Sequence, residues 1–248
     1  RQRCLRLSQR LAVPARFVQG SGSSAERAGG DVEMRSLTAA ITQHGRRRSW
    51  AEALAVFREA QDSGASIDLI AYNAAVAACK AASRWELGLS LFAELKVRQT
   101  APDAVTFSTL ISAMGRSGRW QHALAMLKLM RVSQLPANIV VSSAAVAACE
   151  RAGRWQDAVA LLEETLSDGL RPDVIMCSSI ISACEKGRRW EMALDLLRQM
   201  RMRVLVPNVI SYNSAISACE KGKQGARAWT LLQDALKANL SPDVVMYS

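Results

Sequence analysis

Aromatic residues are scarce in this 248-residue chain, at 5%, and only 6 prolines and 14 glycines punctuate it. Ala, Leu and Arg fill the space instead, which weights the composition towards helix and away from a β-rich fold. No apolar run reaches the roughly 18 residues that cross a bilayer, because charge interrupts every Ala/Leu-rich segment at helical spacing. With half of its residues apolar, the chain still has the material for a core. Histidine occurs only at 44 and 122 and no Cys-x-x-Cys pair is present, so neither a metal site nor a cofactor is expected.

Six cysteines are present, and Cys79, Cys149, Cys184 and Cys219 stand 35 residues apart or at multiples of 35. On stacked helices such positions lie about 8–10 Å apart. A disulfide needs Cα atoms about 4.4–6.8 Å apart. These four therefore read as reduced packing residues.

That spacing belongs to a longer register. The heptapeptide ISACEKG begins at Ile181 and again at Ile216, and a shift of 35 aligns the chain with itself from Met34 onward. Six units follow without insertion or deletion, at 34–68, 69–103, 104–138, 139–173, 174–208 and 209–243, and residues 244–248 open a seventh. In each unit the first half carries apolar residues at i, i+3, i+4 and i+7, with Ala78, Ala113, Ala148, Ala183 and Ala218 in one column and a Gly or Ser break after it. Trp50, Trp85, Trp120, Trp155 and Trp190 open the second half, a second amphipathic pattern. Pro102, Pro172, Pro207 and Pro242 close the connection, since proline cannot continue a helix. A single helix hairpin cannot bury its apolar face alone. The sequence therefore predicts an all-α fold, a right-handed α-solenoid of stacked 35-residue helix hairpins. Gly225 stands where the sixth Trp is expected, with Trp229 one turn later, which predicts altered packing there.

Residues 1–33 form a basic leader, with six Arg against three acids, no acid before Glu26 and several Ser. A transit peptide for a mitochondrion or plastid and a disordered basic arm both fit this composition, a cytoplasmic location going with the second. The formal charge of +10 is not confined to the leader, and about +7 remains for the repeats. A polyanionic partner and a solvated basic surface both account for it.

Two-helix repeats are commonly protein scaffolds, and the tetratricopeptide unit carries its Trp in the first helix. Here the Trp opens the second, and the recurrent VISYNSAISACEKG with PDVVMYS resembles the pentatricopeptide repeat family, of its plain P type, over residues 34–248. The resemblance implies a single-stranded RNA binder in which each repeat meets one base. It implies base recognition by the fifth and last residues of each unit: Thr38 with Asp68, Asn73 with Asp103, Ser108 with Asn138, Ser143 with Asp173, Ser178 with Asn208, and Asn213 with Asp243. All twelve are short and polar among apolar neighbours. Helix capping is the alternative reading, natural for an Asp or Asn after Pro and less so for the fifth position. An Asp accepts only and, beside a hydroxyl, suits guanine, whereas Asn both donates and accepts, as adenine requires. The family rule spells 5′-GUAGAU-3′.

Ile70, Val105, Val140, Ile175 and Ile210, at the second position, are implied to sandwich the bases, with Arg35 breaking the row in the first unit. Arg46, Arg116, Arg151, Lys186 and Lys221, at the thirteenth, form a line that can track phosphates, Ala81 being the exception. Cations at helix carboxyl ends are the alternative. No catalytic constellation is present: the His-x-Glu and Pro-Cys-x-x-Cys of a deaminase do not occur. The chain is expected to act on organelle RNA processing, stability or translation by occupancy, as a monomer and without a membrane, alone or with other RNA-processing proteins. A protein-binding scaffold and the recognition part of a larger RNA-processing enzyme remain the alternatives.

Overall fold

The computed structural model describes residues 24–64, 67–136 and 138–238. The leader up to residue 23, Asp243 and the opening of the seventh unit lie outside them. Twelve helices and no strand occur among the described residues: α1 Ser24–Arg46, α2 Trp50–Asp62, α3 Leu69–Ala81, α4 Trp85–Val97, α5 Ala104–Arg116, α6 Trp120–Val132, α7 Ile139–Arg151, α8 Trp155–Ser167, α9 Val174–Lys186, α10 Trp190–Met202, α11 Val209–Lys221 and α12 Gly225–Lys237. From α3 onward each odd helix fills positions 1–13 of a unit and each even helix positions 17–29. Helix α1 starts at Ser24 and so crosses the boundary drawn at Met34. None of these helices is long and apolar enough to cross a membrane.

Each helix ends in the same way. At position 15 the backbone turns left-handed, at Arg48, Ser83, Gly118, Gly153, Arg188 and Lys223. The next N–H then reaches back five residues, as from Arg84 to the Cys79 carbonyl at 2.9 Å, which satisfies a carbonyl the helix leaves open. A second left-handed residue ends each even helix from α2 to α10, at Gly64, Gln99, Gln134, Gly169 and Val204.

Successive odd helices pack closely on one another, and even helices pack on their own odd partner and on the next odd helix, whereas even helices meet one another through side chains, as Arg58 with Glu94 and Arg131 with Glu164. The odd row is therefore the tighter, inner layer of the solenoid and the even row the splayed outer one. Small residues allow the close approach. Ala78, Ala113, Ala148, Ala183 and Ala218 are buried, and a Cβ on Gly115 would stand 2.7 Å from Ala148 Cβ. The four cysteines of the repeated column, with Cys177, are buried free thiols, and burial pushes Cys79 and Cys184 up to about 11 and Cys149 to about 12.

The tryptophans do not sit in the core. Each is half-buried, and the arginine that begins the next unit's even helix lies over its ring: Arg84 over Trp50 at 5.1 Å, Arg119 over Trp85 at 5.6 Å, Arg154 over Trp120 at 4.5 Å and Arg189 over Trp155 at 4.8 Å. These arginines stand at N-cap positions and make no capping bond. Their place is set by cation–π contact between units instead. In the sixth unit Gln224 replaces the arginine, and Arg227, three residues on, covers Trp190 at 4.2 Å. Trp229 is left 62% exposed, so the packing there is altered.

Candidate nucleic-acid interface

The last residue of each of the first five units is the N-cap of the next odd helix. Asp68 accepts from the Ala71 N–H at 2.8 Å, Asp103 from Thr106 at 2.8 Å, Asp173 from Met176 at 2.7 Å, Asn208 from Ser211 at 2.9 Å, and Asn138 from Val140 at 2.8 Å. Capping is thus a real task of this column. It does not exhaust it, because a carboxylate or amide that accepts one backbone bond keeps further lone pairs and protons.

The fifth residues stand near the start of α3, α5, α7, α9 and α11 and within α1 at Thr38, half-buried at Thr38, Asn73, Ser108, Ser143 and Asn213 and buried at Ser178. Two of them touch the last residue of their own unit, thirty positions away. Asn73 Nδ2 donates to Asp103 Oδ1 at 3.2 Å, and Ser178 Oγ, which donates to the Val174 carbonyl at 2.6 Å, lies 3.3 Å from Asn208 Oδ1. Burial pushes the Asp103 carboxyl up, but the bonds from Thr106 and Asn73 outweigh it and hold the group below its ordinary range, as an anion. Ser108 bonds instead to the Val105 carbonyl of its own helix at 3.1 Å, and the Ser143 hydroxyl is buried without a hydrogen-bond partner. The sixth pair is half outside the described residues, at Asp243.

Beside these pairs runs an apolar row. Ile70, Val105, Val140, Ile175 and Ile210 are 65, 56, 60, 69 and 60% exposed. Burying such a side chain is worth about 1.5–3 kcal/mol. Five of them left in water, one per odd helix, make a surface suited to flat apolar faces.

The predicted cations close the opposite end. Arg46, Arg116, Arg151, Lys186 and Lys221 are the last residues of α1, α5, α7, α9 and α11, and all are exposed. Eight residues of helix separate them from the fifth position, a rise of about 12 Å. They are not equivalent. Lys186 Nζ pairs with Glu150 Oε1 at 2.8 Å and Lys221 Nζ with Glu185 Oε1 at 2.6 Å, each across a unit boundary. At the other end of the array Lys80, one residue before the exceptional Ala81, is half-buried. Burial and the positive charges of Arg116 and Arg151 push its ammonium below the ordinary range. Lys80, Arg116 and Arg151 thus form one electropositive cluster. The register reading missed Lys80 because it lies one column early.

At the first unit boundary an open cleft of about 530 Å³ is lined by Thr38, Asp68, Ile70 and Arg46, with Arg35 and Thr42. A fifth residue, a last residue, a second-position aliphatic and a thirteenth-position cation there share one concavity, of a size that holds small ligands. Two further polar groups escaped the sequence reading. Thr106 and Ser211, at the third position, are fully buried on the inner row. Thr106 Oγ1 lies 2.6 Å from Asn73 Oδ1, and Ser211 Oγ lies 2.8 Å from Ser178 Oγ. A column that mixes hydroxyls with apolar residues, at Ser36, Ala71, Thr106, Val141, Met176 and Ser211, is the signal that could have found them.

Comparison with known proteins agrees with this architecture. A model described as a pentatricopeptide repeat domain matches residues 160–221, one for the PPR repeat family matches 67–116, and one for the PPR repeat matches 105–135 and 140–170. No curated protein sequence matches the chain. Among solved structures, the pentatricopeptide repeat protein PPR10 from maize is 25% identical, with a TM-score of 0.65 over 86% of this chain and 31% of that one. The same maize protein in complex with an 18-nt psaJ RNA element is matched at 21% identity and a TM-score of 0.58, again over 86% of this chain and 35% of that one. The PPR domain of protein-only RNase P 1 from Arabidopsis thaliana, in complex with tRNA, is 16% identical with a TM-score of 0.64, over 75% of this chain and 98% of that domain. The chain spans about a third of the length of the maize protein.

Proposed function

Because the chain belongs to the pentatricopeptide repeat family, we propose that it binds single-stranded RNA with one base per repeat, reading 5′-GUAGAU-3′ from its amino end. The observation that carries this reading is the contact of Asn73 with Asp103 and of Ser178 with Asn208. Residues thirty positions apart meet at one edge of the inner row, and a base seated there faces both at once. The exposed aliphatic at position two would cover its face, and the cations at the helix ends would meet its phosphates.

The chain acts by occupancy, protecting or exposing a transcript, and performs no chemistry of its own. The polar column favours this over a protein scaffold, for which varied aromatic anchors would be expected on the inner face. The Arg-rich leader supports action on organelle transcripts. Six units hold about six nucleotides, and a mismatch typically costs about 1–3 kcal/mol.

Binding of the chain to RNA containing GUAGAU and to a scrambled control, at fixed moderate salt, tests the reading. The variant Asn73→Ser should move the preference at the second base from U to G. Binding indifferent to base sequence in both proteins would leave only electrostatic attachment.

A further inference from the structure

We infer that the third residue of each repeat is a positioning residue for the base read by the repeat before it: a hydroxyl there locks the recognition pair, and an apolar side chain leaves it unlocked. This rests on the base-reading function proposed above.

The third residue is where the pair of one unit meets the helix of the next. Its N–H donates to the capping side chain of Asp68, Asp103, Asp173 and Asn208 in turn, so its own side chain starts beside that cap. Where it bears a hydroxyl, three groups close into one network. Thr106 Oγ1 lies 2.6 Å from Asn73 Oδ1 and 2.8 Å from Asp103 Oδ1, while Asn73 Nδ2 donates to that same carboxylate oxygen. Ser211 Oγ lies 2.8 Å from Ser178 Oγ and 2.9 Å from Asn208 Oδ1, while Ser178 Oγ also reaches Asn208. Where the third residue is Val141 or Met176, the contact is absent. Ser108 bonds to its own helix and not to Asn138, and Ser143 has no partner, whereas Ser178 bonds the Val174 carbonyl of its own helix at 2.6 Å and still meets Asn208 and Ser211.

The chemistry decides orientation as well as proximity. A carboxylate only accepts, so Asn73 must turn its amine towards Asp103 and its carbonyl towards Thr106, whose single proton it can receive. One amine proton of Asn73 remains for the base. The donors to Asp103 converge on Oδ1, which leaves Oδ2 for a base N–H. Uracil, with an acceptor beside its N3–H, fits that pattern. An amide without the Thr106 hydroxyl is free to rotate, and a rotated amide no longer presents a fixed donor next to a fixed acceptor. Because Thr106 and Ser211 are fully buried, their hydroxyls must be bonded to be tolerated, which holds the network shut in the unbound chain.

The test measures base preference one position at a time, with the full chain and four RNAs differing at a single base. Thr106→Val, nearly isosteric and matching Val141 in the next unit, should lower discrimination at the second base about three- to tenfold, the worth of one hydrogen bond. Preference at the other bases should stay. Thr106→Ser restores the hydroxyl and should restore the discrimination, which a merely structural role for the side chain would not require. Ser211→Ala should act likewise at the fifth base alone, and Val141→Thr should sharpen the third. Unchanged discrimination in both Thr106→Val and Ser211→Ala, with helicity retained, overturns the inference while the base-reading function stands. If the unaltered chain shows no base preference at all, that function itself fails and this inference falls with it.

Discussion

Lys186 Nζ lies 2.8 Å from Glu150 Oε1 and 3.2 Å from the Glu150 carbonyl, so a cation at the end of α9 is held by the unit before it. Lys221 and Glu185 repeat the relationship one unit on. The carboxyl-terminal half of the cation row is therefore internally neutralised, and the Lys80, Arg116 and Arg151 cluster is not. Glu150→Gln and Glu185→Gln should each strengthen RNA binding and steepen the dependence of log K on log salt by up to about 0.7. Arg116→Gln and Arg151→Gln should each make it shallower by about the same amount. Exposed ion pairs contribute little to stability, so the melting temperature of the Glu variants should hardly move. Equal salt slopes in all four variants would mean that this row does not face phosphates.

Gly187 sits under the Trp155 ring, and a Cβ added there would stand 2.2 Å from Trp155 Cδ1. Its φ is −80°, so space and not conformation calls for glycine. Gly187→Ala must push the indole away from its packing and from Arg189, which should destabilise the chain by about 1–3 kcal/mol. A urea titration followed by tryptophan fluorescence measures it.

Val204 occupies the left-handed position after α10, at φ 60°, and is 87% exposed. A β-branched side chain is strained there, at a cost of about 1–2 kcal/mol, and nothing is buried in return. Val204→Gly should raise the urea midpoint without changing the slope of the transition.

The buried thiols set an alkaline limit. Burial raises Cys79, Cys177 and Cys184 from 9.0 to about 11 and Cys149 to about 12. The folded chain therefore holds protons that the unfolded chain releases. This contribution is complete below pH 9 and is lost as the pH rises through the folded values. Melting temperature should fall between about pH 9 and pH 11, less steeply in Cys149→Ala. At pH 8 these thiols should resist alkylation until the chain is unfolded.

Much of the architecture could be read directly, because a repeat reports its own period. The breaks after Cys79, Cys149, Cys184 and Cys219, the Trp that opens each even helix from α2 to α10 and the prolines before the next unit delimit helices that, from α3 onward, stand at the same positions of their units. The candidate site was legible as columns. That Asp103 or Asn208 caps a helix and also touches a fifth residue could not be separated in advance, since both tasks ask for the same short polar side chain.

What the columns hide is contact between units. Lys80 substitutes for Ala81 from the neighbouring column, Glu150 claims Lys186 from 36 residues away, and Arg227 takes over the stacking role of an absent arginine from a different turn of the helix. The all-helical hairpin, its 35-residue period and the side chains that share a line along the solenoid follow from local periodicity and from turn residues that act within a few positions, so they are legible in the order of the residues. Which lines touch depends on how the hairpins pack. Stacking sets the offset between neighbouring hairpins, and an offset of one helical turn determines whether the Thr106 hydroxyl reaches Asn73 and whether a cation at a helix end faces solvent or a glutamate.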